Sequence, residues 1–108
     1  MTLGELVSYF RNGCSFKEFC LSQALKAESE AIEIYMQKPF SLNNNLKFFE
    51  IEITEGRMEY NFDGINYGNL FDFHYFIGAI EESNEQNNTS LTNDAIARRL
   101  HEYAINDA

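Results

Sequence analysis

In 108 residues the chain has no tryptophan, one proline, two cysteines and six glycines, and only eight basic side chains against seventeen acidic ones. Each shortage excludes something. Cys14 and Cys20 match no metal-ligand spacing and cannot build a disulfide framework, so both thiols are expected reduced, with Cys20 on a buried face. No glycine-rich loop of the kind that cradles phosphate follows a strand. No apolar run approaches the ~20 residues of a membrane span. The segment from Met1 to Arg11 carries Glu5 and begins as an amphipathic helix, without the basic stretch and apolar core of a signal peptide, so a cytoplasmic location is expected. The scarcity of bases leaves a net charge of −9. Nucleic acid would be repelled, with no counterion release to drive association, and anionic membrane surfaces are disfavoured for the same reason.

What is present is hydrophobic material. Apolar residues make up 44% of the chain, including ten Phe and six Tyr, too many for a disordered acidic tail. The length fits one domain spanning residues 1–108, large enough for a core without disulfides or metal.

Local signals organise this domain. Thr2 with Glu5, and Ser15 with Glu18, are capping boxes that open two helices, and Asn12-Gly13 stops the first. Leu3, Leu6, Val7 and Phe10 form the stripe of a surface helix, and Phe16, Cys20, Ala24 and Ala27 share a face of the second. Helical spacing can be extended to Met36, but Ala31 to Met36 also alternates with β-branched residues. A helix to about Ser29 followed by a strand from Glu30 to Lys38 is preferred, and Pro39 prevents a helix from running on.

Leu46 to Thr54 and Arg57 to Asp63 alternate around the Glu55-Gly56 turn, which reads as a hairpin with one buried and one wet face. Gly64 to Gly68 reads as the exit turn. Asn69 and Asp72 can cap a buried central helix from Leu70 to Ser83, and Thr92 caps a last helix to Ile105 after a polar linker. The order α-α-β-β-β-α-α predicts an α+β domain, a three-stranded antiparallel sheet with helices packed on one face.

Charge is unevenly placed. Residues 1–27 carry a net of +1, residues 28–85 a net of −9 and residues 86–108 a net of −1. Strand alternation puts Glu33, Glu50, Glu52, Glu59 and Asp63 on one sheet face, with Tyr35 and Phe48 among them. Such a face would attract a basic partner quickly and in an oriented way; it would equally serve as the solvated side of a sheet.

Candidate chemistry is sparse. Glu50 and Glu52, with Glu59 or Asp63 across the hairpin, could gather oxygens around a divalent cation. Lys47 falls with the apolar set, however, and a metal-dependent hydrolase is the weakest reading. Asp72 and His74 lie at i and i+2 and cannot face each other, and His101 reads as a surface residue. No Ser or Cys has an identifiable base. No cofactor, metal or catalytic residue is expected, and Phe71 to Phe76 reads as core. Asn87-Asn88-Thr89 and Asn88-Thr89-Ser90 match the glycosylation pattern, as polar linkers do by chance.

With Glu33, Glu50, Glu52, Glu59 and Asp63 on the sheet and Glu81, Glu82 and Glu85 after the central helix, the chain resembles in overall character the immunity proteins of bacterial contact-dependent inhibition and related polymorphic toxin systems. The resemblance implies a protein that binds a cognate toxin domain, often a basic nuclease, and blocks its active site or substrate surface. Acidic, dimeric secretion chaperones are the second resemblance, and they imply binding of an effector segment through apolar patches. A homodimer is compatible with the sequence, since the Arg98-Arg99 doublet could meet the acidic sheet of a second copy, or simply sit in water.

Overall fold

Thr2 starts the first helix as the sequence dictates. Its Oγ1 accepts from the Glu5 backbone N–H at 3.3 Å, and the Glu5 carboxylate accepts from the Thr2 N–H at 2.8 Å. Helix α1 (Leu3–Arg11) then runs to Asn12, where Gly13 turns the chain at φ +99°. The computed structural model describes residues 1–85, with the side chain of residue 85 excepted, and residues 91–106. The glycosylation-like triplets and residues 86–90 of the expected linker lie outside the described residues.

Ser15 caps helix α2 (Phe16–Ser22) through the Glu18 N–H at 3.1 Å. This helix stops well short of Ser29. Ala24 turns left-handed at φ +56°, and Leu25 N–H reaches back to the Cys20 carbonyl at 2.8 Å. The physical reason is burial. Phe19 and Cys20 pack inward while residues 21–24 face solvent, and Leu25 and Ala27 reach the core from the loop that follows.

The strands are β1 (Ile32–Gln37), β2 (Leu46–Glu50), β3 (Glu59–Phe62) and β4 (Ile65–Asp72), paired antiparallel in the order β2-β1-β4-β3. The fold is therefore α+β with an antiparallel sheet, but the sheet has four strands. The element order is α-α-β-β-α-β-β-α-α, not the α-α-β-β-β-α-α read from the sequence. Two segments account for the difference. Leu46 to Thr54 is not one strand, because residues Ile51–Thr54 close a helical turn, α3, that ends with Glu55 and Gly56 both at positive φ. The expected exit turn is instead the start of β4. Asp63 and Gly64, at φ +54° and +79°, make the two-residue turn that the right-handed twist of paired strands favours.

Leu70 and Phe71 make the end of β4 resemble the start of a helix. The β1–β4 register shifts between Ile34 and Tyr35, which lets both residues pack toward the same core and breaks the period of two. Helix α4 (Phe73–Glu85) begins only afterwards. Asp72 Oδ1 accepts from the Tyr75 N–H at 2.8 Å, so Asp72 is the cap, while Asn69 sits inside β4. Thr92 caps helix α5 (Asn93–Asn106) through the Ala95 N–H at 3.1 Å.

The larger core lies between the sheet and the helices. Leu6 and Val7 of α1, Phe19 of α2, Ile34 and Met36 of β1, Phe76 and Ile80 of α4, and Leu100 of α5 belong to one buried cluster. Phe10 sits among Phe19, Phe73 and Phe76 with ring centroids 5.5–5.6 Å apart, the tilted and edge-on contacts that aromatic quadrupoles favour. Arg11 ties α1 to the start of α5, donating to the Leu91 carbonyl at 2.8 Å and Asn93 Oδ1 at 2.9 Å. Helix α4, expected to be the buried central helix, buries Phe73, Phe76 and Ile80 and exposes His74 and Tyr75. Among the described residues, no helix is long and apolar enough to cross a membrane.

Candidate functional site

Strand register decides where the seven predicted contact residues go. Ile34 pairs with Phe48 and Ile32 with Glu50, which sets Phe48 and Glu50 on the helix side of the sheet. Glu33 pairs with Phe49 and Tyr35 with Lys47, on the outer side. Phe48 is half-buried and packs against the larger core, its ring 5.0 Å from Phe19 and 5.9 Å from Phe73. Tyr35 is fully buried, its hydroxyl donating to the Arg57 carbonyl. Tyr35 thus points to the outer side and Phe48 to the helix side, so the two do not share the face expected of them.

The carboxylates are dispersed and occupied. Glu50 accepts from the Lys26 N–H at 2.8 Å, and Glu52 accepts from the Glu30 N–H at 3.1 Å and from the Ser29 hydroxyl. These two acids pin the loop between α2 and β1 against α3. The Ser29 hydroxyl, foremost, holds the Glu52 carboxyl below its ordinary range. Glu59 pairs with Lys38 at 2.6 Å, and that hydrogen bond lowers its pKa in the same direction. Asp63 occupies the β3–β4 turn. Glu33 accepts from Asn69 Nδ2 at 2.8 Å through Oε2, while its Oε1 is buried without a hydrogen-bond partner among the described residues.

The single acidic face expected from alternation is therefore not formed. Its place is taken by aromatics. Tyr35, Phe49 and Tyr67 are buried together on the outer side with Tyr60 packed against them, and the Phe49 ring lies 5.0 Å from Tyr60 and 5.5 Å from Phe62. Lys47 Nζ sits 5.1 Å from the Phe62 ring centroid. The sheet thus has two apolar faces, and the charges are pushed to its margins and loops. The Phe48-Phe49 doublet was the available signal, since neighbouring strand residues point to opposite faces and both are large and apolar.

The four carboxylates considered for a divalent cation fall on β2, α3, β3 and a turn. Among the described residues, no three His, Cys, Asp or Glu side chains are grouped to hold a metal ion. His74 is exposed, 5.9 Å from the Phe16 ring, and the buried His101 Nδ1 has no hydrogen-bond partner among the described residues. Cys14 and Cys20 are free thiols, both pushed up in pKa chiefly by burial.

What the structure does assemble is a pair of stacked tyrosines. Tyr75 of α4 and Tyr103 of α5 lie with ring centroids 4.5 Å apart and planes 15° from parallel. They remain 39% and 40% exposed. Phe71 contacts both rings, at 5.5 and 6.5 Å. No family model, curated protein or solved structure matches this chain.

Two clefts flank the stack. One lies between α4 and α5, where Ala79, Glu82, Ser83 and Arg99 join Tyr75. The other is lined by Met58, Asn69, Asp72 and Ala104 together with both tyrosines. The Asp72 cap fixes the start of α4, and the Arg11 contacts fix the start of α5, so the rings are set by rigid helices. Tyrosine offers a large apolar body and a polar tip at low conformational cost, which suits it to a protein contact. Tyr75 falls within the Phe71 to Phe76 run that reads as core and Tyr103 within the last helix, and only their hydroxyls hint at a position on the rim.

Proposed function

We propose that this chain is a protein-binding domain of the immunity type, which neutralises a basic partner such as a bacterial toxin nuclease domain by covering its working surface. The observation that carries this reading is the half-exposed Tyr75–Tyr103 stack held between two clefts on α4 and α5. It supplies the rigid aromatic anchors that concentrate binding energy at an interface, and Asp72 and Glu82 line the adjoining clefts. The net charge of −9 supports a basic partner, because long-range attraction speeds and orients the encounter. On this reading the contact surface is built on α4 and α5 in place of Glu33, Tyr35, Phe48, Glu50, Glu52, Glu59 and Asp63, of which Glu33 borders one cleft through its hydrogen bond from Asn69.

The test is protection. Cells expressing this chain and challenged with the toxin domain encoded beside its gene should grow, and the Tyr75→Ala/Tyr103→Ala double variant should not protect them. Truncating an anchoring aromatic costs about 2 kcal/mol or more at an interface, roughly a thirtyfold loss of affinity. Binding of the purified pair should also weaken steeply as salt is added. Full protection by the double variant, or salt-independent binding, would overturn the proposal.

A further inference from the structure

We propose that the free edge of β3 pairs antiparallel with β3 of a second copy of this chain, joining two four-stranded sheets into one. β3 is the last strand of the sheet, and among the described residues no strand pairs with its outer edge. Its backbone phase follows from the hairpin. A two-residue turn closes on Phe62 and Ile65, and Asn69 N–H donates to the Met58 carbonyl at 2.8 Å. Met58, Tyr60 and Phe62 therefore direct their backbone groups toward β4, and Glu59 and Asn61 direct theirs outward.

Outward groups must meet outward groups, which leaves three well-overlapped registers. Pairing Glu59 with its own copy opposes two carboxylates. Pairing Asn61 with its own copy opposes Glu59 and Asp63. Only the register that centres Tyr60 on Tyr60 is free of like-charge pairs, and it sets Glu59 against Asn61 at two hydrogen-bonded positions. The same register brings Arg57 of each copy opposite Asp63 of the other. All of these residues except the half-buried Tyr60 are exposed.

The side chains support that register as well. On the outer face it places Met58, 59% exposed, opposite Phe62, 38% exposed, at both ends of the central tyrosine pair. The aromatic cluster of Tyr60, Phe49 and Tyr67 would thereby continue from one copy into the next. Glu59 is paired with Lys38 within its own chain, which lowers the net charge along the edge without cancelling its repulsion of a carboxylate set directly opposite. A second copy is the occupant because the strand is complementary to itself, in hydrogen bonds, in charge and in apolar contact.

Sedimentation equilibrium of the full chain, from micromolar to submillimolar concentration, tests this. The mass should rise from one chain to two. Arg57→Glu and Asp63→Lys should each weaken the dimer about tenfold, since each turns two attractive contacts repulsive. The double variant Arg57→Glu/Asp63→Lys should restore it. Asn61→Pro removes an outward N–H without touching the β3–β4 ladder, and should give a monomer with an unchanged far-UV spectrum. Should that variant misfold, amide exchange on the unmodified chain decides: the Glu59 and Asn61 amides should become more protected as concentration rises. A monomer throughout the range, a dimer indifferent to both charge reversals, or a double variant that fails to recover would each overturn the proposal. None of the substituted residues belongs to the Tyr75–Tyr103 stack, so loss of protection and loss of dimer report separately.

Discussion

Phe49→Ala is the most direct check that the outer side of the sheet is a second core. Phe49 is 5% exposed and is surrounded by Tyr35, Tyr60, Phe62 and Tyr67 at ring-centroid distances of 5.0 to 6.2 Å. Removing a buried Phe side chain costs about 3–5 kcal/mol, from lost burial and from the cavity left behind. A domain of this size is stable by only about 5–15 kcal/mol. The substitution should therefore remove a large share of the stability and lower Tm by roughly 15–30 °C. Had the outer face been the wet side of a hairpin, the same change would stay within about 0.5 kcal/mol. Urea titration followed by circular dichroism measures the difference, with Phe19→Ala in the helix-side core as the comparison. A loss below about 1 kcal/mol with an unchanged denaturant slope would refute a buried aromatic cluster at this position.

Two glycines should respond with opposite signs. A Cβ at Gly68 would lie 2.5 Å from Phe40 Cζ and 2.8 Å from Lys38 Cε, so Gly68→Ala should destabilise by about 1–3 kcal/mol. Gly78 lies in α4, and a Cβ added there would meet nothing within 4 Å. Gly78→Ala should therefore gain about 0.5–1 kcal/mol, and thermal melts of the two variants compare them directly. Acid should destabilise the domain in a defined window. Glu5, Glu52 and Glu59 are all held below the ordinary value of 4.5, by the Thr2 backbone N–H, the Ser29 hydroxyl and Lys38 respectively. Their folded forms bind fewer protons, so their contribution is present above pH 4.5 and is lost as pH falls through the lowered values. Urea midpoints measured across that range should decline toward low pH, and the triple variant Glu5→Gln/Glu52→Gln/Glu59→Gln should flatten the decline.

The sequence by itself determined the features that depend on a few neighbouring residues. The Thr2–Glu5 box, the Ser15, Asp72 and Thr92 caps, the Gly13 stop and a strand expected over Glu30 to Lys38 and found at Ile32–Gln37 all follow from short-range hydrogen bonding and alternation. The same local rules carried the α+β class. Tertiary structure decided what depends on pairing. A strand shifted by one residue turns every side chain to the opposite face, and nothing within Leu46–Glu50 says whether Phe48 or Phe49 meets the helices. The pairing with β1 settles it, sending Phe48 into the larger core, Phe49 into the smaller one, and Glu50 and Glu52 to hold a loop. The bulge that makes the last residues of β4 look like the start of a helix is likewise a property of two strands together. So is the tyrosine stack, whose members stand 28 positions apart and meet because α4 and α5 both pack against β4.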